Sequence, residues 1–430
     1  MKKKIQYTTI SALFAFAICA TAEDLTLKTN DGILPTEFEW SDTSVWSPDG
    51  SSLDNANLAI DGTAEAAVNS TITGGLNLGD INITVGNGGN SANVFKATIA
   101  DKDVKFNNIN ISNSGYSQNV TLVSEGAKWV GNSVNIISDG INAQKITLDS
   151  GDYSFSLTLS GGINVTNNKS IDSLTIQGGT NISGAVTMKA ANGAEGAQVA
   201  FYMWNMTIGG ISDGGVTANH YISFNWGGTI TLNNAADYSW SGDIGVNSGD
   251  DNINISKNGV GAQKFVVKSL RNHFNKIAVN QGLFEIDTSA ITGQFANNLT
   301  LAGGSFKNTG DVNVKTLVLT NGEILLGNGS GTIIVTENAE IGDSKISLNF
   351  KELTQSGEYT ILEVGGDLIN FDTDNALTNF ELSNLEEGAL AELAWNDNSL
   401  VLSYTVPEPA TVAALLGIAA LGFALIRRRK

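Results

Sequence analysis

The stretches Asp80-Ile81-Asn82-Ile83-Thr84-Val85 and Asn108-Ile109-Asn110-Ile111-Ser112 decide the fold. In both, an aliphatic residue occupies every second position and a short polar residue stands between. This period of two is typical of a strand with one buried face, because successive side chains of a strand point to opposite sides. Lys145-Ile146-Thr147-Leu148 and Thr229-Ile230-Thr231-Leu232 repeat the pattern, and no long window keeps the helical period. The sequence therefore predicts an all-β fold.

The distribution of proline and glycine reduces the number of architectures that fit the sequence. All four prolines lie outside residues 49–406, so every residue of that stretch can donate its backbone N–H to a ladder. Short strands separated by Gly, Asn, Asp and Ser are compatible with a sandwich, a barrel or a β-solenoid. A sandwich of about 100 residues would divide this length into units joined by linkers, and the sequence contains no such linker. A solenoid is the favoured architecture.

One internal repeat supports a solenoid. Phe201-Tyr202-Met203-Trp204-Asn205-Met206 and Tyr221-Ile222-Ser223-Phe224-Asn225-Trp226 lie 20 residues apart, with aromatic residues aligned to aromatic ones. A period near 20 is the length of one coil of a β-helix, in which each coil contacts only its neighbours. We therefore predict a single-stranded parallel β-helix over residues 51–344, between an N-terminal cap at 23–50 and a small β cap at 345–405.

A glycine-containing turn in the second half of the chain resembles a known repeat. Lys257, Gly259 and Gly261, followed by the strand up to Val267 and by Gln281-Gly282-Leu283, resemble the turns of the autotransporter-associated β-strand repeat. The resemblance covers about residues 256–286 and implies a right-handed parallel β-helix passenger. This chain ends in an apolar run where that family has a translocator barrel, so the resemblance implies no self-export by that route.

The N-terminus has the pattern of a secretory signal peptide. Three lysines precede an uncharged apolar run from Ile10 to Ala20, and Ala20-Thr21-Ala22 forms a small-residue cleavage site. We expect residues 1–22 to be removed after Ala22. Cys19, the single cysteine of the chain, lies inside this segment. The exported body is therefore expected to contain no disulfide and no cysteine-bound metal.

The C-terminus has three parts in a fixed order. Pro407-Glu408-Pro409 is followed by an uncharged apolar run at 410–426 and by Arg427-Arg428-Arg429-Lys430. As a helix, the run would measure about 26 Å, enough for a thin bilayer, so a transmembrane helix is expected there. The segment 407–430 resembles the PEP-CTERM sorting signal of Gram-negative bacteria, which implies that an exosortase recognises Pro407, Glu408 and Pro409. An ordinary tail anchor in a periplasmic protein is the alternative.

The charge excludes one class of partner. The 430 residues include 43 Asp and Glu but only 24 Lys and Arg, a net charge of −19. Without the two terminal segments, 42 acidic and 17 basic residues would remain, with Arg271 as the single arginine. Nucleic acid is not expected as a partner, because phosphate binding requires a basic surface.

Few residues suggest catalysis or metal binding. His220 and His273 have no second ligand at a zinc spacing. Asp250 and Asp251 are the best carboxylate pair for a polysaccharide-cleaving β-helix, and with Asp372 and Asp374 they could hold calcium loosely. Polar turns explain all four positions more simply. The sequence therefore predicts a protein that is not an enzyme and that has no ordered metal and no cofactor.

Aromatic residues are concentrated between positions 201 and 240. If they point outward they form a platform for sugar rings, and if inward they fill the core. The candidate platform residues are Trp204, Phe224, Trp226 and Trp240. The expected function is an exported scaffold or adhesin of the cell surface or extracellular matrix, associated with exopolysaccharide. The alternative is a polysaccharide-binding or polysaccharide-cleaving β-helix.

Overall fold

The computed structural model shows an all-β solenoid whose strands are joined in a single hydrogen-bonded sheet. The described residues are 23–49, 51–64, 68–87, 95–100, 102–113, 119–125, 127–138, 144–150, 156–167, 172–177, 179–190, 197–202, 205–215, 220–225, 227–247 and 253–406. Two short 3₁₀ helices, Thr43–Val45 and Ala376–Thr378, interrupt the strands near the two ends. The predicted all-β class is confirmed.

Most strands are between two and ten residues long, and one long strand bends through successive faces. In chain order they are β1 Asp24–Leu27, β2 Glu37–Glu39, β3 Trp46–Ser47, β4 Asn57–Ala64, β5 Val68–Ile72, β6 Ile81–Asn87, β7 Phe95–Ile99, β8 Val104–Lys105, β9 Asn108–Asn113, β10 Asn119–Ser124, β11 Lys128–Gly131, β12 Ser133–Ser138, β13 Gln144–Ser150, β14 Ser156–Leu159, β15 Ile163–Asn167, β16 Asp172–Gln177, β17 Asn181–Ala190, β18 Ala197–Tyr202, β19 Asn205–Ser212, β20 Tyr221–Asn225, β21 Gly228–Leu232, β22 Tyr238–Asn247, β23 Ile253–Lys257, β24 Ala262–Arg271, β25 Phe274–Val279, β26 Leu283–Asp287, β27 Gln294–Gly327, β28 Ser330–Val335, β29 Ala339–Ile341, β30 Ile346–Glu352, β31 Gly357–Val364, β32 Leu368–Ile369, β33 Phe380–Ser383, β34 Leu390–Asn396 and β35 Ser399–Thr405.

Successive coils place three strands around the axis, and each strand pairs in parallel with its equivalents in the coils before and after. Face A is formed by β4, β6, β9, β12 and β15. Face B begins with β5, β7, β10, β13 and β16. Face C begins with β8, β11 and β14 and continues through β17 and β19 to β21, β23 and β25. The parallel β-solenoid is therefore confirmed.

Aliphatic residues stack in rows inside the solenoid. On face A, Leu58, Ile81, Ile109, Val134 and Ile163 occupy equivalent positions of consecutive coils. All five are buried, and burying such a side chain stabilises a fold by about 1.5–3 kcal/mol. The period of two thus places one aliphatic row toward the axis and the intervening polar row toward solvent.

The coils are longer than the sequence repeat indicated. Paired residues of neighbouring coils between Leu58 and Phe306 are 21 to 29 positions apart. Phe201 pairs with Phe224, 23 positions later, whereas the predicted period of 20 would have placed it over Tyr221. The prediction of this register was wrong because residues of similar type lie at several offsets, and the variable turns decide which of them stack.

The two ends of the solenoid differ from the middle. At the start, Phe38, Trp40 and Trp46 pack as a cluster with ring centroids 6.2–6.4 Å apart. At the end, the parallel register continues through β30 and β33, inside the segment predicted as a cap. The antiparallel hairpin β34–β35 follows, and β35 also pairs antiparallel with β31.

The predicted transmembrane helix at 410–426 lies outside the described residues. Among the residues that are described, no helix is long and apolar enough to span a bilayer. The right-handed sense of the coil stays a prediction.

Candidate binding face and sorting segment

Two neighbouring outward rows of face A contain no charged residue, and we name these two rows the asparagine face. It consists of two outward positions from each of β6, β9, β12 and β15, namely Asn82, Thr84, Asn110, Ser112, Asn135, Ile137, Asn164 and Thr166. Because neighbouring coils are about 4.8 Å apart, these residues form two parallel rows that run along the solenoid. The Asn row and the second row, which begins at Thr84, stand side by side. A third outward row, formed by Asp80, Asn108 and Ser133, borders the Asn row on its other side.

The amides of the asparagine face form a continuous hydrogen-bond ladder. Asn110 Nδ2 donates to Asn82 Oδ1 at 2.9 Å, and Asn135 Nδ2 donates to Asn110 Oδ1 at 2.9 Å. Asn164 Nδ2 then donates to Asn135 Oδ1 at 3.0 Å. Asn135 Nδ2 also donates to the Ser133 hydroxyl at 3.2 Å. Since an amide has two N–H groups and two acceptor lone pairs, the ladder fixes the orientation of the inner amides and leaves the second lone pair of each amide oxygen available.

Two depressions adjoin this face. One of about 260 Å³ lies at its C-terminal end, between Asn135, Asn164, Ile137 and Thr166, with Lys189 at its border. Ile137 is 46% exposed, which is high for an isoleucine in a strand. The other, of about 450 Å³, lies over the turns that precede β12 and β15, and Asn132 and Ser160 belong to its lining.

Two of the four aromatic residues predicted as a sugar platform are buried in the core. Phe224 and Trp240 are 1% and 0% exposed, so neither presents a face to a sugar ring. Phe224 stacks on Phe201 at 5.7 Å, and Trp240 lies 5.5 Å from the buried His220 ring. Trp204 and Trp226 lie outside the described residues. The inward alternative therefore holds for the described pair.

The acidic candidates do not form a cluster in the described part of the chain. Asp250 and Asp251 lie outside it. The carboxylate of Asp372 accepts hydrogen bonds from the Thr378 hydroxyl and from the N–H of Asn375, and these bonds hold the pKa of Asp372 below its ordinary value. Across the described ranges, no three His, Cys, Asp or Glu residues come together in a way that could hold a metal ion.

Lys257 lies in the turn that resembles the autotransporter-associated repeat. Its side chain is fully buried, and its ammonium donates to the carbonyl oxygens of Gly259 and Gln281, the latter at 3.1 Å. Asn234, also fully buried, donates from Nδ2 to the carbonyl oxygens of Ala236 and Ala262, both at 2.8 Å. These two side chains satisfy backbone groups of the turns inside the solenoid, which is a structural role.

We expect the stability to increase with pH because of Lys257. Desolvation lowers the pKa of Lys257 to about 8, from 10.5 in the unfolded chain. Between these values the unfolded state binds more protons than the folded state, so the free energy of unfolding rises by up to about 1.4 kcal/mol per pH unit. Between pH 8 and 10.5, the free energy of unfolding measured with denaturant should rise by about 2 kcal/mol more in the wild type than in the Lys257→Met variant. If the free energies of unfolding of the two proteins changed with pH in parallel, the lowered pKa of Lys257 would be contradicted.

Comparison with known proteins identifies one segment of the chain. A family profile for the PEP-CTERM protein-sorting motif matches residues 405–430. Signals of this class are processed by exosortase, so the chain is an exported, surface-sorted protein. No curated protein and no solved structure matches the chain.

The processing residues lie outside the described part of the chain. These are Ala20 and Ala22 at the predicted signal-peptide site, and Pro407, Glu408 and Pro409 in the sorting motif. Sequence reasoning identified the motif but missed the asparagine face. The signal for that face was available, because Asn82 and Asn110 each stand between two isoleucines in a period-two run.

Proposed function

We propose that this protein is a non-catalytic surface or extracellular-matrix solenoid with a scaffold or adhesion role among exopolysaccharide. The observation that carries the proposal is the sorting motif at 405–430 immediately after one continuous β-solenoid. A solenoid provides long parallel faces with repeated chemistry. Such faces suit contact with extended polymers.

Two of the described side chains that could perform acid–base chemistry support a structural role. His220 is 1% exposed, and the Asp372 carboxylate is occupied by donors of its own loop. General acid–base catalysis requires groups within hydrogen-bonding reach of a substrate. Binding through a polar face is therefore favoured over cleavage.

A second candidate function is a polysaccharide-cleaving β-helix. It rests on Asp250 and Asp251, the best local carboxylate candidates that the sequence offers for this chemistry. Release of oligosaccharides from neutral or acidic glycans that is lost in Asp250→Ala would favour this candidate over the scaffold.

The proposal predicts a processed, exosortase-dependent surface protein. In a host with exosortase, the mature C-terminus is expected close to Pro407-Glu408-Pro409, and the protein is expected in the surface or matrix fraction. Without exosortase, the full-length chain should stay with membranes. Mass spectrometry of the fractionated protein measures both. Glu408→Ala should reproduce the exosortase-deficient result, whereas the control Glu392→Ala, in the exposed hairpin, should not.

A full-length chain in membranes of both hosts would contradict the proposal and would instead indicate an ordinary tail anchor. Deletion of the protein should also reduce the cohesion of the matrix. An unchanged matrix together with correct processing would contradict the scaffold role alone.

A further inference from the structure

We propose that the asparagine face binds a neutral polysaccharide chain lengthwise along the solenoid, an inference that rests on the proposed matrix function and names its ligand class. The site would comprise the Asn row from Asn82 to Asn164, the adjacent row from Thr84 to Thr166, and the depression at their C-terminal end.

The absence of charge on this face identifies the ligand class. The chain has a net charge of −19, yet none of the eight positions of the asparagine face is charged. The charged residues at its borders are Asp80 beside the Asn row, and Asp61 and Lys189 at the two ends of the second row. An acidic polymer would be repelled by the molecule as a whole, and this face offers it no cation row. Neutral sugars carry hydroxyl groups, which pair with amides and hydroxyls without a charge partner.

The ladder reduces the cost of binding. Free asparagine side chains lose rotamer freedom when they hold a ligand, at about 0.5–1.5 kcal/mol for each immobilised side chain. Here the Asn110 and Asn135 amides are already fixed by neighbours at 2.9 Å and 3.0 Å. Because the same amide orientation recurs in consecutive coils, a polymer with a repeating arrangement of hydroxyls can meet equivalent partners in each coil.

The shape of the face suits an extended chain. Three coil spacings give about 14 Å from Asn82 to Asn164, a length that fits a few sugar rings in line. The depression of about 260 Å³ beside Asn164 offers a recess at one end of this row, and the exposed Ile137 side chain offers an apolar contact for the carbon-bound face of a ring.

Affinity electrophoresis of the full chain tests the site. The gels would contain hydroxyethyl cellulose, soluble starch or dextran as neutral polymers, or hyaluronan as an acidic one. We expect at least one neutral polymer to retard the protein, and hyaluronan not to. The double variant Asn110→Asp/Asn135→Asp should lose about tenfold or more in apparent affinity, because two charges replace the neutral amide donors.

A matched variant on another face controls for the added charge. Asn275 Nδ2 donates to Asn254 Oδ1 at 2.9 Å on face C, so Asn254→Asp/Asn275→Asp makes the same chemical change away from the asparagine face. It should retain wild-type retardation. Ile137→Glu keeps every ladder amide and should also abolish binding, which keeps the test valid if the double variant does not fold.

Several results would overturn the inference. They are equal retardation of all variants, retardation by hyaluronan alone, and loss of binding in the face C control. Another is a combination of two findings: no polysaccharide retards the protein, and light scattering shows a dimer that Ile137→Glu dissociates. The asparagine face would then be an interface between copies of the chain. If no neutral polymer retards a protein that is still correctly processed into the matrix, the ligand class fails while the proposed function stands.

Discussion

Gly259→Ala is expected to destabilise the solenoid by about 3 kcal/mol or more. A Cβ atom at position 259 would lie well inside contact distance of the backbone oxygen and nitrogen of Asn234 in the preceding coil. Both atoms belong to main chain that is held by hydrogen bonds, such as Gly261 N–H to Asn234 O at 2.9 Å. The clash therefore cannot be relieved by a side-chain rotation, and two coils must separate.

Denaturant unfolding and hydrogen exchange measure this effect. Because coils of a solenoid contact only their neighbours, protection should fall first around β21 and β23, the paired strands that lead into the turns at Asn234 and Gly259. Gly74→Ala is the matched control, since a Cβ at that position meets no atom within 4 Å. It should change the stability by less than about 1 kcal/mol. Similar losses for both variants would show that the tight contact at Gly259 is absent.

Lys257→Ala is expected to cost about 3–4 kcal/mol. The substitution leaves the carbonyl oxygens of Gly259 and Gln281 without their side-chain donor and opens a cavity in the interior. Each unsatisfied buried acceptor costs about 1–3 kcal/mol, and the lost packing adds to this. Lys257→Met retains most of the volume and removes both the hydrogen bonds and the cost of burying the ammonium, so its loss of stability should be smaller.

Lys264→Ala provides the comparison for Lys257→Ala. Lys264 forms an ion pair with Glu285 at 2.7 Å, but its side chain is 40% exposed. Exposed pairs contribute about 0–1 kcal/mol, so the expected loss is small. If urea unfolding gave equal losses for the two alanine variants, Lys257 would not be the buried donor described above.

The alternation of residues predicted the strands and their inward faces well. Ile81 and Ile83 lie inside and Asn82 outside, as the period of two requires. The same rule, applied to Tyr221-Ile222-Ser223-Phe224-Asn225, puts Phe224 on the side of Ile222 and hence in the core. That signal could have excluded Phe224 from the sugar platform, because the phase of a strand is set by all of its apolar residues together.

The register between coils could not be predicted from one repeat. Each coil contains three turns of variable length, and a turn can gain or lose residues without disturbing the strands it connects. The spacing between Val134 and Ile163 is 29 positions, while that between Gln263 and Phe284 is 21. The asparagine ladder depends on this register, so its continuity became visible only when the strands were aligned in space.

Cysteine cross-linking tests the stacking of coils most directly, because the single native cysteine, Cys19, lies in the predicted signal peptide. Thr84 and Ser112 are partners in adjacent coils with hydroxyl oxygens 2.9 Å apart, whereas Ile137 stands one coil beyond Ser112. Oxidation of Thr84→Cys/Ser112→Cys should produce a disulfide, found by peptide mass mapping. Thr84→Cys/Ile137→Cys should not, since the separation of about 9.6 Å exceeds disulfide reach. A bond in the second variant and none in the first would contradict the parallel register on which the account depends.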